Sequence, residues 1–281
     1  MKLSIIGVGL IGGSMALKLR ESGIVDFVYG IDNSDKHLNE ALERKIIDAK
    51  VDLEYGIKNS DLVILAIPVD SARKLLPEIM DLVSENQTVM DAGSTKAGIV
   101  KAVEHHPKRS RFVAFHPMWG TENNGPKSAV SESFSEKAGV ICNKEESAPD
   151  ALQLAEKIIE ILGMHLIYMN AEDHDVHTAY ISHISHITSY ALANTVLEKE
   201  REEETIFQLA SSGFSSTVRL AKSHPEMWVP IFQQNKENVL DVLNEHISQL
   251  RKFKVALEKE NFEYLQELIS NANKIRGILD K

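Results

Sequence analysis

Met1-Lys-Leu-Ser-Ile-Ile-Gly-Val-Gly-Leu-Ile-Gly-Gly-Ser14 is the stretch whose reading decides the fold. Leu3 to Ile6 is a short apolar run, as a strand buried on both faces requires. Gly7, Gly9 and Gly12 then give G-x-G-x-x-G, and a helix is expected from Gly13 to Arg20. Gly7 permits a tight turn, Gly9 lets a pyrophosphate approach the backbone, and Gly12 lets helix and strand pack closely. The helix start offers free N–H groups, those of Leu10, Ile11 and Gly12 among them, and the positive end of a dipole to phosphates. A second strand, Phe27 to Ile31, ends in Asp32, about 20 residues after Gly12, where a ribose-binding carboxylate belongs. Asp32 would accept hydrogen bonds from the ribose hydroxyls and repel a 2′-phosphate. Asn33 and Ser34 follow it with no arginine, so NAD is favoured over NADP.

Working outward, strand-like runs recur at Leu62–Ile67, Thr88–Asp91, Phe112–Phe115, Val140–Cys142 and His165–Tyr168. Helical runs at Asp35–Glu43, Ala72–Val83, Lys96–Val103 and Ala151–Leu162 alternate with them. Such alternation predicts an α/β domain, a Rossmann-type, doubly wound and mainly parallel sheet with helices on both faces. Pro117 to Glu136 reads as a loop, and one of that length in a compact domain is usually functional. After Asn170 the strand pattern stops. Ala171–Lys199, Glu203–Ala210, Thr217–Ser223, Glu226–Lys252 and Asn261–Leu279 carry apolar residues at helical spacing. The expectation is a dinucleotide-binding domain over 1–170 and an all-α domain over 171–281, with substrate bound in the cleft between them. The run Glu198 to Glu204 is expected to be a solvated helix end. Bundles of this kind commonly pair, so a homodimer through the helical domain is expected.

The chain has 281 residues, 43% hydrophobic and 26% charged, ordinary for a globular protein, with net charge −10. That charge argues against nonspecific nucleic-acid binding, and an anionic substrate would need a local cationic pocket. Cys142 is the only cysteine, which excludes an internal disulfide and suits a reducing compartment. Met1 leads directly into a strand, with neither a signal peptide nor a membrane-spanning run, so a cytoplasmic protein is expected.

Three further clusters could carry chemistry. Asp91-Ala-Gly-Ser-Thr-Lys96 follows a strand, at the end where open α/β sheets bind their ligands. Ser94 there could bond a substrate or the nicotinamide, or Ser94 and Thr95 could simply cap the next helix. Phe112-Val-Ala-Phe-His-Pro-Met-Trp-Gly-Thr-Glu122 places His116 at a strand end. A neutral imidazole there could take the proton of an alcohol as hydride leaves the same carbon; the alternative is a structural histidine. Ser182-His-Ile-Ser-His186 puts His183 and His186 on one helix face, with His174, His177, Asp173 and Asp175 nearby. Zinc, an anionic substrate or plain packing could each explain them; hydride transfer needs no metal, and none is expected. Lastly, Arg219 lies among Val218, Leu220 and Ala221, and needs a carboxylate partner from the protein or from a substrate.

In this order, Gly-Leu-Ile-Gly-Gly-Ser, Asp-x-Gly-Ser-Thr-Lys, Phe-His-Pro-Met-x-Gly-Thr-Glu, Ser-His-x-x-His and an arginine before Met-Trp resemble the prephenate dehydrogenase family of tyrosine biosynthesis. The resemblance runs from Lys2 to the helices after Trp228. It implies oxidation and decarboxylation of prephenate to 4-hydroxyphenylpyruvate with NAD, or of arogenate to tyrosine. It implies that His116 is the catalytic histidine at the ring hydroxyl and that Ser94 stands beside that hydroxyl and the nicotinamide. His186 would be the second pocket histidine, with His183 shaping the site. Arg219 would bind a substrate carboxylate, helped by His186 in offsetting charge, and Thr121 and Glu122 would lie at the pocket rim. Where the family commonly has Gly-Gly-Phe-Arg-Asp-x-Thr-Arg, this chain has Ser212-Gly-Phe-Ser-Ser-Thr-Val-Arg219, without the Arg-Asp pair. Neither a fused chorismate mutase nor a C-terminal ACT domain is expected.

Overall fold

The computed structural model describes residues 1–201 and 205–279. Residues 202–204 of the charge run, and with them the expected helix start at Glu203, lie outside the described residues. The strands are β1 (Lys2–Ile6), β2 (Phe27–Ile31), β3 (Ala49–Lys50), β4 (Leu62–Leu65), β5 (Thr88–Asp91), β6 (Phe112–Pro117), β7 (Ala138–Cys142) and β8 (His165–Met169). They form one sheet in the order β3-β2-β1-β4-β5-β6-β7-β8. Strands β1 to β6 run parallel, β7 is antiparallel to β6, and β8 is parallel to β7. The strand order reverses between β1 and β4, the point at which such sheets open a ligand crevice at their carboxyl ends. Helices α1 (Leu10–Glu21), α2 (Asp35–Glu43), α3 (Leu53–Lys58), α4 (Val69–Leu82), α5 (Ala97–Ala102) and α6 (Pro149–Ile161) connect the strands.

Apolar side chains alternate between the two faces of the central strands. Leu3, Ile5, Leu62 and Ile64 join a core with Met15, Leu19 and Phe115. Ile6, Val63 and Leu65 join the opposite core with Leu76, Ile79 and Phe112. Strand β3 and helix α3 were not legible, because two and six residues are too short to show a period. The reversal of β7 has a physical origin. Between β6 and β7 the chain makes only 3₁₀ turns, at Pro126–Ser128 and Ser131–Phe134, whereas a parallel return needs a long crossover, usually helical.

This connection is strapped to the first helices. The Ser14 hydroxyl accepts from the Val130 N–H at 2.9 Å. Arg44 donates to the Lys127 and Ala129 carbonyls at 3.0 and 3.2 Å. A Cβ on Gly13 would stand 3.0 Å from the Ala129 Cβ, so a larger residue there would press on this connection.

After β8 the described chain is helical: α7 (Ala171–Thr178), a π-turn (Ala179–His183), α8 (Ile184–Glu200), α9 (Ser212–Thr217), α10 (Pro225–Gln234), α11 (Lys236–Glu258), α12 (Phe262–Ala272) and α13 (Arg276–Leu279). The expected helix Thr217–Ser223 is instead a 3₁₀ turn over Arg219–Lys222, and among the described residues of Glu203–Ala210 the helical part is Ile206–Leu209, again 3₁₀. The expected helix Glu226–Lys252 breaks at Asn235, and Asn261–Leu279 is interrupted by a 3₁₀ turn at Asn273–Ile275. By compactness the chain divides into Met1–Asn235 and Lys236–Lys281. Among the described residues no helix is long and apolar enough to cross a membrane.

One buried ion pair takes over where the β5–β6 ladder ends. Val89 pairs with Phe112 and Met90 with Val113. Beyond them Asp91 Oδ1 accepts from the Phe115 N–H at 3.1 Å, and Lys96 Nζ donates to the Phe115 carbonyl at 2.7 Å. Lys96 Nζ also pairs directly with Asp91 Oδ2, and neither side chain has any exposure. Breaking such a pair strands one buried charge and costs about 3–5 kcal/mol. Lys96→Met should therefore lower the urea-unfolding free energy by about that amount. Lys58→Met, which removes a surface pair with Glu54, should cost no more than about 0.5 kcal/mol. Equal losses would contradict the staple.

Candidate active site

The glycine loop has the shape its sequence implies. Gly7 has φ +93°, and a Cβ on it would meet the Ala66 carbonyl oxygen at 2.3 Å. A Cβ on Gly12 would lie 2.1 Å from the Gly7 carbonyl oxygen. Gly9 differs: nothing stands within 4 Å of its Cβ position, so packing of the fold does not itself require glycine there. It is the N-cap of α1 and no side chain caps that end, which leaves the Leu10, Ile11 and Gly12 N–H groups for phosphate oxygens. Asp32 lies at the end of β2, its carboxylate held by the Val8 N–H at 3.1 Å and the Ser34 N–H at 2.8 Å. Loop, open space and anchored carboxylate together fit a dinucleotide with an unphosphorylated ribose.

His116 is the penultimate residue of β6, at the same carboxyl edge and two strands from β4. It is buried, and its Nδ1 lies 2.8 Å from His174 Nε2. His174 Nδ1 in turn lies 2.8 Å from Asp175 Oδ1. Loss of solvent, and after it the neighbouring His174, Lys96 and His183, holds His116 well below the usual histidine value. Burial lowers His174 as well, against the pull of Asp175. His116 is thus a neutral imidazole at neutral pH, the state a proton acceptor needs.

Asp175 also replaces the cap expected from Ser94 and Thr95. Its carboxylate accepts from the Lys96 N–H at 2.7 Å and the Ala97 N–H at 3.0 Å, at the start of α5. Thr95 instead donates to Gln234 Oε1 at 3.1 Å. Ser94 stands half-buried in the turn between β5 and α5, with no helix to cap.

His183 and His186 reach this neighbourhood because the helix is not regular. In an unbroken α-helix His186 would stand about a third of a turn away from His174. The π-turn Ala179–His183 inserts a residue and rotates the pair back toward the face of His174 and Asp175. Asn235 Nδ2 donates to the Asp175 carbonyl at 2.6 Å and meets His183 Nδ1 at 3.1 Å. His186 stacks on Trp228, ring centroids 3.4 Å apart, and its Nδ1 donates to the Ser182 carbonyl at 3.1 Å. The Trp228 indole N–H is buried with no acceptor among the described residues. Burial pushes both histidines down to about 4, so they serve as neutral hydrogen-bonding groups. His177 and Asp173 are exposed, and no group of three or more metal-ligating side chains forms among the described residues.

Arg219, in its 3₁₀ turn, is half exposed and donates to Glu122 Oε2 at 3.1 Å. The Glu122 backbone N–H, then Arg219, holds that carboxyl below the usual range. The guanidinium thus has a protein partner, itself one of the rim residues. Thr121 beside it accepts from the Asn123 N–H at 3.2 Å. The residues the sequence reading passed over are Lys96, Asn235 and Trp228. Lys96 carried a signal, a charged residue following a strand-end aspartate across a short turn. Asn235, inside an expected helix, carried none.

The family model described as prephenate dehydrogenase, nucleotide-binding domain, matches residues 15–168, and that described as prephenate dehydrogenase, dimerization domain, matches 170–271. Prephenate dehydrogenase of Bacillus subtilis is 30% identical over 273 residues, 96% of this chain and 74% of that protein. Cyclohexadienyl dehydrogenase of Zymomonas mobilis is 26% identical over 277 residues, 98% of this chain and 94% of that protein. The crystal structure of prephenate dehydrogenase from Aquifex aeolicus, in complex with hydroxyphenyl propionate and NAD+, matches with TM-score 0.91 at 30% identity, covering 99% of this chain and 98% of that one.

The buried histidines set a pH dependence of folding. The unfolded chain protonates histidine below about 6.5, whereas native His183 and His186 protonate only near 4. Within that window the unfolded state binds more protons, so stability is full above about 6.5 and falls as pH drops toward 4. Urea midpoints should decline through this range, and less steeply in His186→Asn. A midpoint unchanged across it would contradict the neutral, buried imidazoles.

Proposed function

The chain belongs to the prephenate dehydrogenase family, and from that premise we propose that it converts prephenate to 4-hydroxyphenylpyruvate, with His116 as the proton acceptor. The observation that carries this reading is His116 itself: neutral, buried, and at the carboxyl edge that also bears the glycine loop. NAD is the cofactor and, when bound, takes up the hydride. Leu10, Ile11 and Gly12 hold its phosphates through backbone N–H groups, Gly9 gives them room, and Asp32 takes the ribose hydroxyls. His116 removes the proton of the ring hydroxyl, and Ser94 hydrogen-bonds the same oxygen. Loss of the ring carboxylate as carbon dioxide leaves an aromatic ring, so the protein need only orient the reactants and take one proton. Arg219 binds a substrate carboxylate, with Glu122 holding the guanidinium at the rim beside Thr121. His183 and His186 line the pocket as neutral hydrogen-bonding groups.

We assign 1–170 to cofactor binding and 171–281 to substrate binding and dimerisation. Leu250, Leu257, Phe262, Ile269, Ile275 and Ile278 are exposed in the last helices, more apolar surface than a small helical unit usually leaves to water. They support a homodimer through that region. A cytoplasmic setting suits its one cysteine, Cys142, which is buried with its thiol pushed up to about 12.

The direct assay is NADH formation by the purified protein from prephenate and, separately, from arogenate. Turnover of prephenate is expected; its absence would overturn the reading. Arg219→Ala removes a charge-assisted bond and should raise the KM for prephenate roughly 10- to 100-fold. Because the Arg219–Glu122 pair is half exposed, the same variant should move Tm by no more than about 2–4 °C. A large fall in Tm with unchanged KM would assign Arg219 to the fold instead. Asp32→Asn should narrow the preference for NAD over NADP, and equal efficiency with both cofactors in the native enzyme would remove Asp32 from the ribose site.

A further inference from the structure

We propose that His174 and Asp175 are positioning residues that fix His116 in its Nδ1–H tautomer, leaving the Nε2 lone pair as the one that takes the substrate's proton. The proposal rests on His116 being the proton acceptor, and its test separates the two ideas. One end of this chain of contacts has a fixed polarity. The Lys96 and Ala97 backbone N–H groups can only donate, and both donate to the Asp175 carboxylate, at 2.7 and 3.0 Å. Asp175 is therefore anchored as an acceptor. Its Oδ1, 2.8 Å from His174 Nδ1, must receive the proton carried there. A neutral imidazole has one N–H, so His174 Nε2 is then an acceptor. At 2.8 Å from it, His116 Nδ1 must donate. Only His116 Nε2 remains unprotonated.

The alternative polarity has no support from the surroundings. A reversed chain would require Asp175 to donate toward His174 while two amides donate to it. It would also put a proton on His116 Nε2 and remove the acceptor from the site. Helix α7 sets this arrangement by placing His174 and Asp175 next to each other, with Asp175 turned to the start of α5 and His174 to the end of β6. Asn235 fixes the same segment from the other side by donating to the Asp175 carbonyl at 2.6 Å. An acceptor oriented by a second group, itself anchored by a carboxylate, is a recurrent device wherever one ring nitrogen of histidine must be chosen over the other.

Two substitutions separate polarity from packing. In Asp175→Asn an NH₂ standing where Oδ1 faces His174 donates to His174 Nδ1, while the amide oxygen takes the place of Oδ2 and keeps the Ala97 N–H, and the Lys96 N–H loses its acceptor. That reverses the chain and blocks His116 Nε2. His174→Gln retains an acceptor for His116 Nδ1–H, whereas His174→Phe retains none. The decisive measurement is a ¹⁵N–¹H correlation spectrum of the histidine-labelled full-length enzyme at neutral pH, which reads each ring tautomer without reference to activity. Native His116 should carry its proton on Nδ1, and in Asp175→Asn on Nε2. Steady-state kinetics should then show kcat for Asp175→Asn reduced by about 10²-fold or more with KM nearly unchanged, the pattern expected when the wrong tautomer is imposed. His174→Gln should recover at least about tenfold of the turnover lost in His174→Phe. If Asp175→Asn fails to fold, the native spectrum and the Gln–Phe contrast still decide. A native His116 protonated on Nε2 overturns the proposal, as does an Asp175→Asn variant whose spectrum shows His116 protonated on Nε2 while kcat stays within about threefold of native. Near-native turnover of His116→Asn would instead remove His116 as the acceptor, a failure of the functional reading that the tautomer spectrum does not share.

Discussion

Lys96 and Asp91, a lysine and an aspartate with no contact with solvent, close the gap between β5 and β6 where their ladder gives out. Their bonds to the N–H and carbonyl of Phe115 fix the backbone one residue before His116. The pair is costly to bury, and a fully apolar substitute could hold a sheet together as well. What an apolar pair could not do is satisfy both polar groups of Phe115 while placing a positive charge near an imidazole that must stay neutral. The same lysine contributes its backbone N–H to Asp175, so one residue ties β5, β6 and α7 to a single point.

From that point the site assembles by short steps. Burial keeps His116, His183 and His186 neutral, whereas Arg219 stands half exposed with its charge intact. The two groups differ in setting: the His116 imidazole sits in a dry interior, while the Arg219 guanidinium sits where an anion can reach it from water. In a chain of net charge −10, a single accessible guanidinium held by Glu122 is a local exception to the global field.

What could be read in the sequence was local. The glycine loop, Asp32, His116 and the parallel half of the sheet all declare themselves within a few residues, through spacing and through position at strand ends. What could not be read depends on partners far along the chain. The cap of α5 comes from Asp175, far along the chain, rather than from the nearby Ser94 or Thr95. The π-turn at Ala179–His183 has no signature in a helix whose apolar spacing looks continuous. Asn235 sits at the break between α10 and α11 and bonds the Asp175 carbonyl and His183, partners visible only in three dimensions. The antiparallel entry of β7 follows from a connection without a helix, which a strand pattern alone cannot orient.

The account stands or falls on a buried, neutral His116. The pH dependence of kcat/KM for prephenate at saturating NAD reads the ionisation of the free enzyme's essential base. The account predicts an acid limb lying well below 6.5, because loss of solvent disfavours the imidazolium. A limb at or above 6.5 would mean that the proton acceptor is exposed or stabilised as a cation, and would contradict the account.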